Sequence, residues 1–470
     1  MTFRHLAILM SSTAAVLMCP ATAQAHEVRE GSEPANAALR DEVERLRAEV
    51  SAMRAEMQAL RASVSGSGDA APASSQSSQP SPPVAAITAK PDDAEPVSIA
   101  FKGAPEFKTD DGWSFKPRGR IQIDAGYLAA PAARSPEQAD GRGFTSRVRR
   151  AYLGVQGTMP GGFAYRAEAD LAGNSVSWTD LYLAYQTGPL SFTIGQHHPF
   201  TSMEQLQSDL FLSFNERAAF TGAFNLERRV GLSAGYQKKD VMLNVGVFTD
   251  DVSALTNDGN KAISLDGRIV WMPKFGETQV HLGGSAHFRK LGDTLADIGT
   301  RYRQRPYINT TDIRYVDTGL LNVTRERHFG LEFAADRGRL RLSSEAAWLT
   351  ASIPGSINPT FFGGYAEIGI LLTDDKRNYK NGAFDRITPR HPVGGGGLGA
   401  LELNLRYDRL DLADRSIDGG TQDGIGAGLA WNPTAYVRFL LNYMHLIYDA
   451  PRTMPSFSAD TIGMRAQIDF

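Results

Sequence analysis

The sequence predicts an all-β protein: a 16-stranded antiparallel transmembrane β-barrel preceded by a short N-terminal periplasmic coiled coil. Three observations carry this prediction. Apolar and polar residues alternate with period two from Gly119 onward, short and long connections alternate between these segments, and Phe470 stands in the last of them. A strand with one apolar face has period two, and tight turns that alternate with longer loops are typical of membrane barrels.

The first 25 residues are typical of a secretory signal peptide. Arg4 and His5 give a basic start, residues 6–18 are mostly apolar, and Ala23-Gln24-Ala25 is a cleavage site. Cys19 is the one cysteine, so we expect no disulfide and no thiolate metal site in the mature chain. Lipid attachment at Cys19 is the alternative, and the large Met18 before it disfavours that. Later residues contain no apolar run of about 18, the length of a membrane helix. An exported chain without a membrane helix is located in the periplasm, in the medium, or in the outer membrane as a β-barrel.

The composition argues against several other classes of protein. Basic and acidic residues number 49 and 52, so no strong field for nucleic acid exists. The glycine-rich stretch at 394–399 matches a dinucleotide fingerprint, but a strand rather than a helix follows it. The sequence has no P-loop lysine and no H-E-x-x-H. We therefore predict neither an enzyme nor a cofactor or metal site.

Residues 39–64 have the heptad pattern of a coiled coil. Its apolar positions are spaced alternately four and three residues apart: Leu39, Val43, Leu46, Val50, Met53, Met57, Leu60 and Val64. Arginines occupy every e position and glutamates the g positions, which pair between parallel helices. We therefore expect parallel self-association; a solvated amphipathic helix is the alternative. The predicted domains are the signal peptide 1–25, the periplasmic segment 26–64 with this coil, a Ser/Pro/Ala-rich linker at 65–98, and the barrel at 99–470.

Sixteen strands are predicted from the period-two pattern. They lie near 121–127, 150–156, 163–171, 178–187, 190–196, 229–237, 240–249, 261–271, 278–289, 326–335, 339–349, 364–373, 399–410, 423–431, 435–447 and 460–470. A soluble sandwich would also alternate. Charges on one face and apolar residues on the other, repeated sixteen times, favour lipid outside and water inside. Aromatic residues near strand ends match an interfacial girdle: Tyr127, Phe163, Trp271, Trp348, Trp431 and Tyr443.

The connections predict which segments enter the barrel. The longest are 197–228 and 290–325, and 374–398 is long although it lies on the short-turn side. We expect this last segment to fold into the lumen. The final strand should close the sheet onto the first, so Phe470 should be held in place and should present a signal to the barrel-assembly machinery.

Several segments resemble the phosphate-selective porin O and P family. They include RRAYLGVQG at 149–157, GQHHPF at 195–200, FNERAAF at 214–220, ERRVGL at 227–232 and GALELNLRYDRLDL at 399–412, and the likeness runs from Gly119 to Phe470. The resemblance implies a homotrimeric outer-membrane porin for small anions such as phosphate, constricted by inward loops rich in arginine and lysine. Where the family pattern carries a lysine, this chain has His197 and His198. Because histidine is mostly neutral near pH 7, strong phosphate selectivity is not expected.

The candidate anion path consists of inward-facing arginines, residues of the third long connection and the two histidines. These are Arg150, Arg166, His197, His198, Arg217, Arg228, Arg229, Arg268, Arg289, Arg341 and Arg406. Arginine presents a charged planar fork that matches oxyanions. The alternative is that each arginine pairs with an inward carboxylate and only makes the wall polar. If the histidines titrate normally, anion selectivity should rise as the pH falls through about 6.5.

The predicted function is passive diffusion of small anions through the outer membrane. The expected partners are those anions, outer-membrane lipid, further copies of the chain and the barrel-assembly machinery. A rival function is a weakly selective general porin whose coiled coil tethers the outer membrane to the cell wall.

Overall fold

The computed structural model describes residues 97–131, 141–256, 258–292, 299–356, 358–449 and 455–470. The predicted signal peptide, the predicted coiled coil and most of the predicted linker lie outside these described residues. Within them, no helix is long and apolar enough to span a membrane.

Twenty-three strands occur in the described residues. In chain order they are β1 Ser98–Lys102, β2 Ala104–Lys108, β3 Ser114–Ala129, β4 Gly143–Met159, β5 Phe163–Asp170, β6 Ser177–Thr187, β7 Leu190–His197, β8 Arg229–Lys238, β9 Val241–Phe248, β10 Ile263–Trp271, β11 Lys274–Phe275, β12 Thr278–Lys290, β13 Arg303–Gln304, β14 Val316–Asp317, β15 Arg325–Arg337, β16 Leu340–Ser352, β17 Thr360–Leu371, β18 Asn378–Lys380, β19 Ala383–Asp385, β20 Ala400–Asp414, β21 Ile417–Asn432, β22 Val437–Asp449 and β23 Phe457–Asp469. Two short helices are α1, Met203–Leu206, and α2, Ala219–Ala223.

Sixteen of these strands form a closed antiparallel barrel, which confirms the predicted fold. Each barrel strand pairs with the next along the chain, and β23 pairs with β3. The backbone N–H of Phe470 donates to the carbonyl oxygen of Gly119 at 3.0 Å, and the N–H of Gly119 donates back at 3.1 Å. Phe470 is therefore held, as expected, and no strand edge is left open at this junction.

The burial pattern is the reverse of that of a soluble protein. On β23, the outward Ile462, Met464 and Ile468 are 43–46% exposed, whereas the inward Arg465 and Gln467 are at most 5% exposed. The predicted girdle aromatics also face outward, and Tyr127 and Trp271 are about half exposed. An apolar outer surface around a polar interior suits a barrel surrounded by lipid.

The two ends of the barrel differ in their connections. One end has tight turns such as 188–189, 239–240 and 338–339, and the other carries the long connections 198–228 and 291–324. We refer to them as the short-turn end and the long-connection end. In outer-membrane barrels the tight turns face the periplasm.

The first barrel strand begins earlier than predicted, and a hairpin precedes it. Strand β3 starts at Ser114, and β1 and β2 form a hairpin whose Phe107 pairs with Phe115 of β3. Pro117, which lacks an N–H donor, interrupts the sequence pattern of β3 before Gly119. The prediction therefore missed both features.

Three connections fold into the lumen of the barrel. The inward loop is 198–228 and contains α1 and α2; the apolar loop is 299–324 and contains β13 and β14; the turn segment is 372–399 and contains β18 and β19. Of these, the turn segment alone comes from the short-turn end.

Candidate functional site

The inward loop crosses the barrel and is held by side chains of the facing wall. Glu345 on β16 accepts hydrogen bonds from the backbone N–H groups of Met203 at 2.9 Å and Glu204 at 2.7 Å. Asn442 on β22 accepts one from the N–H of Asn215 at 2.7 Å. These bonds satisfy backbone donors that a short helix and a loop leave free. The loop therefore lies in the lumen as a fixed element.

A buried ion-pair network connects the same loop to β16, β17 and β20. The Arg406 guanidinium pairs with Glu204 of the inward loop and with Glu367, whose oxygen lies 2.6 Å away. Arg341 pairs with Glu367 too and donates to Ser213 Oγ at 2.6 Å. All four charged side chains are at most 5% exposed. Removing one partner of such a network leaves an uncompensated buried charge.

The apolar loop fills the lumen above the inward loop, on the side of the long-connection end. Tyr302, Tyr307 and Val316 are at most 4% exposed and belong to one apolar cluster with Phe214 and Phe220 of the inward loop. Inward wall positions are apolar at this height: Leu349, Phe361, Leu410, Leu412, Leu446 and Tyr448.

The arginines of the apolar loop do not enter the lumen with its aromatic residues. Arg301 pairs with Asp317 at 2.6 Å, and Arg305 pairs with Asp312 at 2.6 Å. Asp312 is 69% exposed. The expectation of an arginine-rich constriction was therefore wrong for this loop, because its apolar residues compete better for the buried positions.

The turn segment folds into the lumen, as its length predicted. Tyr379 Oη lies 2.6 Å from His281 Nδ1, and Arg268 Nη2 donates to the carbonyl of Gly382 at 3.0 Å. The Arg341 guanidinium lies over the ring of Phe384, with Arg341 Cζ 5.1 Å from the ring centroid. Because His281, Arg268 and Arg341 are inward residues of the wall, the segment narrows the lumen from the short-turn end.

A cavity of about 1170 Å3 lies between the inward loop and the short-turn end. We call it the basic cavity, because basic side chains dominate its lining. They are Lys102, Lys116, Arg118, Arg120, Arg150, Arg166, Arg217, Arg228, Lys239, Arg268 and Arg386, against the acidic Asp180, Asp209, Asp385 and Asp469. Glu106, Glu168 and Glu332 lie outside this lining and pair with Lys102, Arg118 and Arg268. With these three glutamates counted, a surplus of four positive charges remains.

This surplus arises because single carboxylates are shared by pairs of arginines. Asp180 accepts from Arg228 at 2.8 Å and lies 3.3 Å from Arg166. Each such group of two guanidiniums and one carboxylate keeps a net positive charge. Asp209 of the inward loop forms the same kind of group with two arginines of β3 and β4.

Arg217 adds a charge that no carboxylate of the described residues neutralises. Its Nε donates to the carbonyl of Glu204 and its Nη2 to the carbonyl of Gln207, both at 2.8 Å. Carbonyl oxygens satisfy the donors but leave the full positive charge in place.

The environment fixes the protonation of two groups of the inward loop. Burial alone would raise the pKa of the Asp209 carboxyl, but the guanidiniums of Arg120 and Arg150 hold it well below its usual range. Burial, and then the positive charge of Arg228, holds the pKa of His198 well below the ordinary histidine value. The lowered pKa predicts a neutral His198 near pH 6.5, in contrast to the expectation from the sequence that this residue charges at that pH.

Seven of the eleven predicted path residues line the basic cavity. They are Arg150, Arg166, His197, His198, Arg217, Arg228 and Arg268. His197 Nδ1 lies 2.9 Å from the carbonyl oxygen of Gly195, and its Nε2 lies 2.8 Å from Ser233 Oγ. Both ring nitrogens are thus occupied by neighbours on the wall.

The other four predicted residues do not line this cavity. Arg341 and Arg406 belong to the ion-pair network, and Arg289 lies between Asp250 at 2.7 Å and Glu326 at 3.5 Å. Arg229 packs against His287, with Nη1 3.3 Å from Nε2. The alternative, pairing with carboxylates, describes the geometry of Arg341, Arg406 and Arg289. It also describes four arginines that line the cavity, namely Arg150, Arg166, Arg228 and Arg268.

Other cavity residues were missed. Lys116 and Arg118 lie on the part of β3 that precedes Gly119, and Lys239 lies in the tight turn between β8 and β9. The two lysine residues of Gln-Lys-Lys-Asp at 237–240 were a usable signal, because a tight turn at a barrel rim places its charges beside the opening.

Comparisons with known proteins agree with this architecture. The family model described as "Phosphate-selective porin O and P" matches residues 115–470. The chain is 43% identical over 452 residues to an uncharacterised protein of Caulobacter vibrioides, covering 92% of this chain and 90% of that one. It is 26% identical over 363 residues to Porin O of Pseudomonas aeruginosa, covering 69% of this chain and 79% of the relative. Among solved structures, the outer-membrane channel DcaP of Acinetobacter baumannii matches with a TM-score of 0.50 at 13% identity, over 77% of this chain and 99% of that chain.

Proposed function

This chain belongs to the phosphate-selective porin O and P family, and from that premise we propose that its channel favours small anions, phosphate or related oxyanions among them. The family and the barrel make it a porin channel of the outer membrane. The observation that carries the anion preference is the surplus of basic side chains around the basic cavity.

The physical reason is confinement. Charges that face a narrow, water-filled space between low-dielectric walls are screened less than charges on an open surface. Anions therefore concentrate in the basic cavity, and cations are depleted. Rings of charged side chains select ions in this way without a binding site for one species.

Strong phosphate specificity is not part of the proposal. A dehydrated oxyanion needs several free donors that converge on it. Asp180 occupies donors of Arg166 and Arg228, Asp209 occupies those of Arg120 and Arg150, and His198 is neutral. A passing phosphate competes with these carboxylates, so we expect weak binding and fast exchange.

We further propose the assembly of the porin. A homotrimer is expected from the family, lipid surrounds the outward apolar face, and Phe470 interacts with the barrel-assembly machinery during insertion. The predicted coiled coil would support self-association in the periplasm. Its proposed role in attachment to the cell wall is independent of selectivity.

The proposal is tested by the reversal potential of the purified porin in planar bilayers under a potassium chloride gradient. The expected sign is that of chloride preference at neutral pH. Replacing chloride by phosphate should keep anion preference, and phosphate added to chloride should not block current at micromolar concentrations. A wild-type channel that prefers potassium would refute the anion proposal and leave a general porin.

A further inference from the structure

Three basic side chains, Lys290, Arg325 and Arg327, lie outside the lumen at the long-connection end. They occupy outward positions of β12 and β15 and are exposed, whereas the alternating Arg289 and Glu326 face inward. We call these three residues the rim patch. They have no part in the lining of the basic cavity.

The rim patch brings like charges together. Lys290 and Arg325 are directly opposite in the strand register, and Arg327 follows two residues along the same face. Like charges directly opposite on a sheet repel each other. In the part of the chain that the structure describes, none of the three forms an ion pair with a carboxylate. The patch is therefore electrostatically incomplete without an anion.

Another outward arginine at the long-connection end, Arg409, does have carboxylate partners. Arg409 on β20 also faces outward, but it pairs with Asp423 on β21 at 2.8 Å and with Asp411 at 3.3 Å. The barrel neutralises this cation with its own residues, which provides a matched comparison for the rim patch.

The height of the rim patch matches the headgroup region of a membrane. Directly below it on the outward face lie the aromatic pairs Phe288–Phe329, with centroids 5.6 Å apart, and Trp348–Phe362, at 5.5 Å. Such aromatic residues mark the boundary between acyl chains and headgroups. Cations just beyond this boundary lie where lipid phosphates or carboxylates are found.

A groove beside the rim patch offers apolar contacts. It has a volume of about 760 Å3, and its lining combines the three basic residues with Val247, Leu265 and Phe288. A smaller cavity of about 320 Å3 continues from it past Lys290 and Arg325 towards Asn358. A single ligand that carries both an oxyanion and acyl chains would pair with the basic residues of the rim patch and cover the apolar lining of the groove.

We propose that the rim patch and its groove bind an anionic lipid of the outer leaflet. The oxyanion headgroup contacts Lys290, Arg325 and Arg327, and an acyl chain lies along Val247, Leu265 and Phe288. Arginine and lysine together supply bidentate and point-charge contacts to such a headgroup.

The test is native mass spectrometry of the full porin in detergent with added bisphosphorylated lipid A. The variant Lys290→Gln/Arg325→Gln/Arg327→Gln should lose affinity by a factor of roughly ten or more, since each basic residue contributes to the attraction of anionic lipid. Arg409→Gln should bind like the wild type. Unchanged potassium chloride conductance of the triple variant shows that its barrel is intact.

Two further arms distinguish the source of the anion. Dephosphorylated lipid A should bind at least about fivefold more weakly to the wild type, and inorganic phosphate should not displace bound lipid A. Equal binding by the triple variant, or equal binding of dephosphorylated lipid A, would overturn the proposal in favour of apolar contact alone. Displacement by inorganic phosphate would overturn it in favour of a free-anion site.

Discussion

Two sectors of the barrel wall use arginine in different ways. The open sector, β3–β10, faces the basic cavity, where Asp180 and Asp209 are each shared by two arginines. The packed sector, β16–β23, faces the inward loop, and there Arg341 and Arg406, together with Arg377 of the turn segment, meet Glu204, Glu367 and Glu402. Arginines on inward positions are common to both. The ratio of carboxylates to arginines is what differs.

The difference separates support from selectivity. Matched charges in the packed sector cancel and fix the inward loop, because each buried partner is needed by the other. Unmatched charges in the open sector leave a field in the water-filled space. An inward arginine is therefore not evidence for an ion path until its partners are known.

The largest expected effect comes from breaking the junction of the two sectors, where β23 pairs with β3. Phe470→Asp should abolish most assembled barrel in outer-membrane fractions, because the ring packs over Gly119 and the outward position favours an apolar residue. Gly119→Ala should have a smaller effect, since its Cβ would lie 2.4 Å from the end of the Phe470 ring and that ring would have to shift. Phe470→Tyr is the control that keeps the ring. Folded barrel at normal abundance in Phe470→Asp would contradict the assigned role of this junction.

The second-largest effect is expected from breaking the ion-pair network of the packed sector. Arg406→Gln should destabilise the barrel by about 3–5 kcal/mol, since it leaves Glu204 and Glu367 buried without their common partner. We expect a lower thermal transition and a larger single-channel conductance as the inward loop loosens. Arg409→Gln, on the outward face of the same strand, should change neither quantity. A wild-type conductance in Arg406→Gln would show that the network does not hold the loop.

Changing the open sector should alter selectivity at a smaller cost in stability than Arg406→Gln. Arg217→Gln/Arg228→Gln removes two of the surplus charges, so the reversal potential should move towards cations, and the thermal transition should fall less than in Arg406→Gln because Asp180 keeps Arg166 as a partner. Arg409→Gln again serves as the control, because it removes charge outside the lumen. If the double variant and the control have the same reversal potential, the basic cavity does not set selectivity.

The smallest effect concerns pH. A histidine whose pKa is lowered is neutral above that lowered value, so His198 stays uncharged as the pH falls through its ordinary value of about 6.5. Reversal potentials at about pH 7.5 and about pH 6 should therefore agree between the wild type and His198→Asn. A rise in anion selectivity over this interval that is lost in His198→Asn would restore the original expectation.

The strands were predictable because their signal is local. Alternation along 8–17 residues determines which side chains face lipid, and all sixteen barrel strands were found from it. The boundaries were less predictable, because β3, β4 and β21 begin six or seven residues before their predicted starts. At the beginning of β3, Pro117 and the charged Lys116 and Arg118 obscure the pattern. The inward position of the turn segment was also predictable, because a long connection among tight turns needs a place to pack.

The division of the arginines was not predictable, because it depends on contacts between distant residues. Arg406 has one partner directly opposite on the neighbouring strand, Glu367, but its other partner, Glu204, lies on a loop that is distant in the sequence. The period-two pattern correctly predicted that Arg341 and Arg406 face the lumen, but it gave no information on which carboxylate each would contact. The apolar loop was misjudged for the same reason: its arginines were visible in the sequence, whereas the wall of Leu349, Phe361 and Leu410 that receives its aromatic residues was dispersed among three strands.

The pairing of β23 with β3 has a consequence for the order of events in biosynthesis. Of the sixteen barrel strands β3 is made first, yet it pairs with β23, which is the last of them to be made. Contacts between such distant segments form slowly, and a half-made sheet exposes edges that can pair with other chains. The barrel therefore cannot fold as it is synthesised. A chain that lacks β23 would be left with an open edge at β3, and such an edge gives the cell a direct way to recognise an unfinished product.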